Sequence, residues 1–229
     1  MKPILFNTEM VKSVLDGRKT ATRRLVKFLN GRNPKWTGYI RDKLMLYNGN
    51  NEPCCKKAPY QPGEVLYVRE TWRCWRAHRY EATADIMFMA GGDGVQLAFA
   101  NGNTDSVDRY DYDMFVNKWF SHSGEWKPSI HMPKEVARIF LKVTDVRLER
   151  LNDMSVNDAI SEGINMDGLV TNQGIIEYRV WNRWNELWDS TIPKKDLDKY
   201  GSEANPWVWV IEFERITKEQ AYELESKKA

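Results

Sequence analysis

The sequence predicts an α+β fold in which helices pack on bent β-strands. Three observations predict it. Trp207, Trp209, Ile211 and Phe213 alternate with Glu212 and Glu214, the period of a half-buried strand. Ile176, Val180, Trp184, Leu187 and Trp188 fall on one face of a helix spanning 176–188, with Trp181 beside them. Ile139, Leu141 and Val143 alternate along a strand from Ala137 to Leu148, after which Val146 and Leu148 take over. That change of frame near Thr144-Asp145 is what a bulge produces where a strand bends around a barrel.

In chain order, Ile4-Leu5-Phe6 reads as a short strand. Asn7 or Thr8 caps the helix that follows, with Glu9 favourable in its first turn and Met10, Val11, Val14 and Leu15 on its apolar face. Residues 28–60 are irregular, with Lys35, Arg41, Lys43, Lys56 and Lys57 interleaved with Trp36, Tyr39 and Tyr47. Such a stretch is either a loop pinned by its aromatics or a surface that stacks on and neutralises nucleic acid. Pro62-Gly63 is a turn before a buried strand, Val65 to Trp72, in which Arg69 and Glu70 point to opposite faces and need partners or a wet cleft unless they mark its end. A further strand is expected within Tyr80–Met89. Gly91 to Gly94 and Asn101-Gly102-Asn103 are turn-rich. Trp126 to Lys134 holds two prolines and reads as an ordered loop. Ser155-Val156-Asn157-Asp158 has the form of a capping box opening a short helix that ends at Glu162-Gly163. Asp189 to Ala204 reads as a polar loop. Thr217 to Ala229 is charged and reads as a tail or a loosely docked helix.

Composition narrows the function. With 34 Lys and Arg against 32 Asp and Glu in 229 residues, the net charge is only +2, so any contact with a polyanion must come from a local patch. Ten Trp, ten Tyr and eight Phe suit a dense core, and also base stacking. Cys54, Cys55 and Cys74 are an odd set with two adjacent members, which fits reduced thiols in a cytoplasmic protein. The N-terminal apolar run is too short for a signal peptide, and no run approaches membrane-spanning length. His78, His122 and His131 lack metal-ligand spacing, and Asp105, Asp108, Asp111 and Asp113 lack the glycine and glutamate of a calcium loop. No metal or other cofactor is expected. Gly91 to Gly94 is not a phosphate loop, since no Gly-Lys-Ser/Thr follows.

The stretch with the most chemistry is Gly17-Arg18-Lys19-Thr20-Ala21-Thr22-Arg23-Arg24. Gly17 stops the first helix in left-handed geometry. Lys19 is crowded by Arg18, Arg23 and Arg24, so partial desolvation would favour its neutral amine. A neutral lysine is a base for a nearby hydroxyl such as that of Thr22. The same cluster can instead hold phosphates, or be a solvated basic turn. Glu162, a carboxylate at the unfavourable end of a helix dipole, is either a partner for Lys19 or Arg24 or an exposed residue.

Gly-x-Lys-x-x-Thr-x-Arg, filled by Gly17, Lys19, Thr22 and Arg24, resembles the opening motif of ASCH domains, PUA-like barrels linked to RNA. Many members carry Glu at the position of Thr22. The Thr form is similar to the small bacterial N4-acetylcytidine amidohydrolases, which use Lys, Thr and Glu. Pro62 to Trp72 looks like the second strand motif of phage-type ASCH proteins, whose Arg-Glu-Thr-Trp segment (here Arg69 to Trp72) lies near the cleft. Trp126 to Lys134 resembles another signature of that type, and Trp207 to Arg215 resembles its closing strand. Glu162 matches the glutamate that completes the amidohydrolase set. The resemblance covers about 1–72 and 126–216 and leaves 73–125 as an insertion.

It implies one PUA-like domain over 1–216, a mixed β-barrel with packed helices that contains the 73–125 insertion and is followed by the charged segment 217–229. The implied partner is RNA or a modified nucleoside, bound by Lys19, Thr22, Glu162, Arg18, Arg23, Arg24, Arg69, Glu70, Trp72 and His131. The implied reaction is hydrolysis of an N4-acylated cytidine, with Thr22 as nucleophile, Lys19 as base, and Glu162 orienting Lys19 or protonating the leaving amine. The alternatives are a non-catalytic RNA- or protein-interaction module of phage origin, and a ribonuclease.

Overall fold

The computed structural model describes residues 1–29, 39–42, 45–48, 50, 52–99, 109–166 and 173–227; the side chains of 39–42, 109–111 and 173–176 lie outside that description. The strands are β1 (Lys2–Leu5), β2 (Ala21–Leu25), β3 (Tyr39–Asp42), β4 (Met45–Tyr47), β5 (Val65–Arg69), β6 (Trp72–His78), β7 (Thr83–Phe88), β8 (Val95–Ala98), β9 (Phe140–Arg150) and β10 (Trp207–Ile216). The helices are α1 (Thr8–Leu15), α2 (Arg109–Trp119), α3 (Val156–Ser161), α4 (Gln173–Ser190), α5 (Leu197–Tyr200) and α6 (Lys218–Ser226). The chain is therefore mixed α+β. The strand orders are linear, and none closes on itself among the described residues.

Two compact units form, both discontinuous in sequence. The first comprises Met1–Lys12, Val65–Leu141 and Ile216–Ala229. In it β1 pairs parallel with β5, Lys2 opposite Leu66 and Leu5 opposite Arg69. The antiparallel order β6-β7-β8 forms beside them in sequence, with a register shift between Cys74 and Arg76. Its core gathers Val65, Tyr67, Trp72, Ile86, Phe88, Met132 and Phe140. The expected strand over Tyr80–Met89 is present as β7. The strand expected to run from Val65 to Trp72 instead ends at Arg69, and a new one starts at Trp72. The Trp126–Lys134 stretch holds short 3-10 turns at Ser129–His131 and Lys134–Val136.

The segment expected to be loosely docked is a capped helix. Thr217 and Gln220 exchange side-chain and backbone hydrogen bonds at the start of α6, and Ala221 is fully buried in the first core. The small Ala side chain lets the helix approach closely, which a count of apolar residues underrates.

The second unit comprises Ser13–Glu64 and Lys142–Arg215. There β9 neighbours β10, and β10 pairs antiparallel with β2, placing Arg24 opposite Trp209, Arg23 opposite Val210 and Thr22 opposite Ile211. Burial along β9 shifts phase where expected: Leu141 and Val143 are buried, Thr144 and Asp145 are not, and Val146 and Leu148 are buried again. β10 corrects the half-buried reading. Trp207 to Ile211 are all buried. The strand has a neighbour on each edge, Val208 and Val210 join the core under α4, and the alternate residues Trp209 and Ile211 are covered as well.

That core also holds Leu151, Met154, Ala159, Val180, Trp184 and Trp188, so the Trp stripe of α4 is packing. Residues 189–204 contain helical turns, including α5, rather than a plain loop. In residues 28–60, β3 and β4 form a hairpin, with further bridges at Phe28–Cys55 and Tyr47–Pro53. Lys35, Trp36 and Lys43, the side chains of Tyr39 and Arg41, Asn101 to Asn103, Asp105 and Asp108, and the side chains of Asp111 and Ile176 lie outside the described residues.

Candidate functional site

The Gly17–Arg24 stretch is built from both of its flanks. Asn7 caps α1, its Oδ1 accepting from the Met10 amide at 2.9 Å. Gly17, at φ +74°, ends that helix with its amide bonded to the Val14 carbonyl, as the left-handed stop requires. The chain is then clamped. The Lys19 amide donates to Ser13 O at 2.9 Å, the Thr20 amide to Ser161 O at 2.8 Å, and the Phe213 amide to Thr20 O at 2.8 Å.

The other wall is α3, opened by the expected capping box: the Ser155 amide donates to Asp158 Oδ2 at 2.8 Å and the Asp158 amide to Ser155 Oγ at 3.2 Å. Gly163 leaves α3 at φ +94°. A Cβ there would lie 2.7 Å from Ser13 Cβ and 3.1 Å from Lys19 Cβ, so glycine is what lets the helix end approach the lysine.

This closes Lys19 onto Glu162. Lys19 Nζ donates to Glu162 Oε2 at 2.7 Å and to the Glu162 carbonyl at 2.8 Å, and neither side chain is more than 3% exposed. Burial lowers the Lys19 pKa from its ordinary value; Glu162 opposes that, while Arg24 and Arg23 add to it. Arg23 joins from the adjacent position. It donates to Glu162 Oε1 at 3.2 Å and Glu149 Oε2 at 3.3 Å, lies 3.9 Å from Asp158, and has its guanidinium 5.8 Å from the Trp184 ring centroid.

Arg147 extends the network to Glu149, Glu212, Asp145 and Asp158. The basic stretch is thus largely neutralised from within, Arg18 included, which bonds Asp16 at 2.9 Å and the Gly163 carbonyl at 2.8 Å. A solvated basic turn does not describe it. Thr22 is 1% exposed, and its hydroxyl accepts from Arg24 Nη1 at 3.1 Å.

The structure brings Lys19 to Glu162, one of the pairings the sequence offered, while the second ion-pair partner of Glu162 is Arg23 and Thr22 meets Arg24. Sequence reasoning missed Glu149 and Asp158 as the countercharges, and Arg147 as the cation that shares them. It also missed the pocket. Beside this cluster the second unit has a cavity of about 520 Å³, lined by Arg23, Arg24, Lys27, Lys56, Lys57, Tyr60, Trp188 and Trp209 among others. That is the size of a small-ligand site. Burial lowers the Arg24 pKa and raises that of Tyr60. Arg24 is the link between the parts, since it bonds Thr22 and also lines the cavity, whereas Lys19, Thr22 and Glu162 lie behind that wall rather than on it. Two signals in the sequence pointed here: Arg23 and Arg24 of the basic stretch, and the interleaving of Lys56 and Lys57 with aromatics.

Arg69, Glu70, Trp72 and His131 belong to the first unit, and the first three have partners there. Arg138 grips Glu70 with two bonds of 2.9 Å, and burial raises the Glu70 pKa against that pull. Arg69 donates to the Ile130 carbonyl and the Tyr67 hydroxyl. Trp72 is fully buried against Trp119 and Phe115. His131 is exposed in a 3-10 turn.

The three cysteines are buried and outside any disulfide, and burial pushes the Cys74 thiol up to about 11. No group of three or more His, Cys, Asp or Glu that could hold a metal occurs among the described residues. No described helix is long and apolar enough to cross a membrane. Compared with known proteins, the chain matches no family model, no curated protein and no solved structure.

Proposed function

We propose that this chain is an RNA- or nucleoside-binding protein of PUA-like, ASCH type, and that it binds in the cavity lined by Arg23, Arg24 and Lys56. One observation carries the reading: a 520 Å³ pocket whose described wall combines five cations with Tyr60, Trp188 and Trp209 and contains no carboxylate. Aromatic faces take bases and cations take phosphate, the recipe for single-stranded nucleic acid. The buried Lys19–Glu162 pair then acts as the anchor that fixes the start of β2, and with it Arg23 and Arg24, against α3.

The test is titration with a short single-stranded RNA at two salt concentrations, read by calorimetry. Binding that weakens as salt rises, and that Arg24→Ala diminishes, is the expected result. RNA that fails to bind at low salt refutes the reading.

A second reading has its own observation. Lys19 is buried, its pKa is lowered, and it touches Glu162, while Thr22 lies two residues before Arg24 of the pocket wall. In hydrolysis of an N4-acylated cytidine, the Thr22 oxygen would bond to the amide carbon as Lys19 takes its proton. The C–N bond then breaks, the amine leaves protonated, and water hydrolyses the acyl ester. Incubation with N4-acetylcytidine and chromatography for cytidine tests this, beside Lys19→Ala and Thr22→Ala. Turnover lost in both variants establishes it; no turnover by folded protein leaves the binding reading alone.

A further inference from the structure

We infer that the pocket recognises a nucleotide through its phosphate and its aromatic face and not through the identity of its base; this rests on the pocket being the binding site proposed above. The argument is one of inventory. Lys27, Lys56 and Lys57 are exposed at the pocket, and no carboxylate pairs with any of them among the described residues. They contrast with Lys19 and Arg23, whose charges are met by Glu162, Glu149 and Asp158. A cavity that concentrates unmatched cations favours an anion, and a neutral nucleoside leaves them unmatched.

The groups that would read adenine or cytosine are missing, and two other polar groups of the wall are spent. Base edges are told apart by side chains that match their donors and acceptors: Asn or Gln for adenine, Asp or Glu for cytosine, and Arg or Lys for guanine. No Asn, Gln, Asp or Glu is among the described lining residues, and the Arg and Lys there are the groups that a phosphate takes. The Thr191 hydroxyl donates to the Trp188 carbonyl at 2.7 Å, and the Trp188 indole N–H donates to the Tyr200 carbonyl at 2.8 Å. Trp188 is 5% exposed, so the aromatic surface left open to a base is chiefly that of the half-buried Tyr60, which every base accepts equally.

Calorimetry on the full chain with CMP, UMP, AMP, GMP, cytidine and inorganic phosphate tests this. The four monophosphates should bind within about threefold of one another. Cytidine and inorganic phosphate should each bind at least about tenfold more weakly than CMP. Lys56→Ala/Lys57→Ala, two exposed positions whose loss leaves the fold intact, should remove most of the CMP-over-cytidine preference. Cytidine binding as tightly as CMP, one base favoured more than tenfold, or phosphate binding as well as CMP overturns this inference and leaves nucleoside or RNA binding standing. Failure of every probe, RNA included, overturns both.

Discussion

Lys19 Nζ meets Glu162 twice, at a carboxylate oxygen 2.7 Å away and at the residue's own carbonyl 2.8 Å away. One residue thus supplies both the countercharge and a backbone acceptor to a buried ammonium. The carbonyl is an unsatisfied acceptor at the end of α3, so the lysine also caps that helix. Glu162 is tolerated at the negative end of the helix because Lys19 and Arg23 neutralise it there.

Breaking this pair leaves one buried charge unmatched. Glu162→Gln is expected to destabilise the chain by about 3–5 kcal/mol, and Lys19→Met by a similar amount. The double variant should cost less than the sum of the two, since it removes both charges together. Urea denaturation of all three measures this; additive losses would mean that the residues do not interact.

Gly163→Ala tests the close approach of α3 to Lys19. The left-handed backbone alone costs an L-residue about 1–2 kcal/mol, and the contact with Ser13 Cβ at 2.7 Å adds to it. Gly17→Ala, with an equally positive φ but open space around its Cβ, should cost less. Equal midpoints for the two variants would remove the steric part of the argument.

Acid sensitivity should trace in part to Asp158. Burial works against its charge, but bonds from Ser155 and the nearby Arg23 and Arg147 outweigh it, and the folded pKa falls below the ordinary 3.8. The stability this contributes is complete above that value and is lost as pH falls through the lower folded pKa. Asp158→Asn should therefore flatten the stability curve below pH 3.8 and leave its shape unchanged from pH 5 to 7. An acid limb of unchanged slope would assign the loss to other carboxylates.

Trp184→Ala should cost about 3–5 kcal/mol through the cavity it opens under β10, with Arg23 losing its aromatic contact as well. Tyr178→Ala, on an exposed turn of α4, should stay within about 0.5 kcal/mol. Thermal unfolding of the two separates the core stripe from the solvated face.

Local rules carried the sequence far. The Asn7 cap, the left-handed stop at Gly17, the Ser155–Asp158 capping box and the frame shift in β9 depend only on residues within a few positions of one another, and each is present in the structure. The sequence also identified Lys19, Thr22 and Glu162 as residues of interest, through a resemblance.

The tertiary structure alone decided who pairs with whom. Glu162 lies 143 residues from Lys19, and the choice of Arg23 rather than Arg24 as its second partner depends on which face of β2 turns toward α3. Charges in a sequence carry no range or direction. Arg23 proved spent on carboxylates, and Lys56 and Lys57 unmatched among the described residues, because packing brought Glu149, Asp158 and Glu162 to one and not to the others. The pocket follows the same logic, drawn from residues 23–27, 56–60, 188–192 and 209, which no period or spacing connects and only the packing of β2 and β10 with α4 brings together.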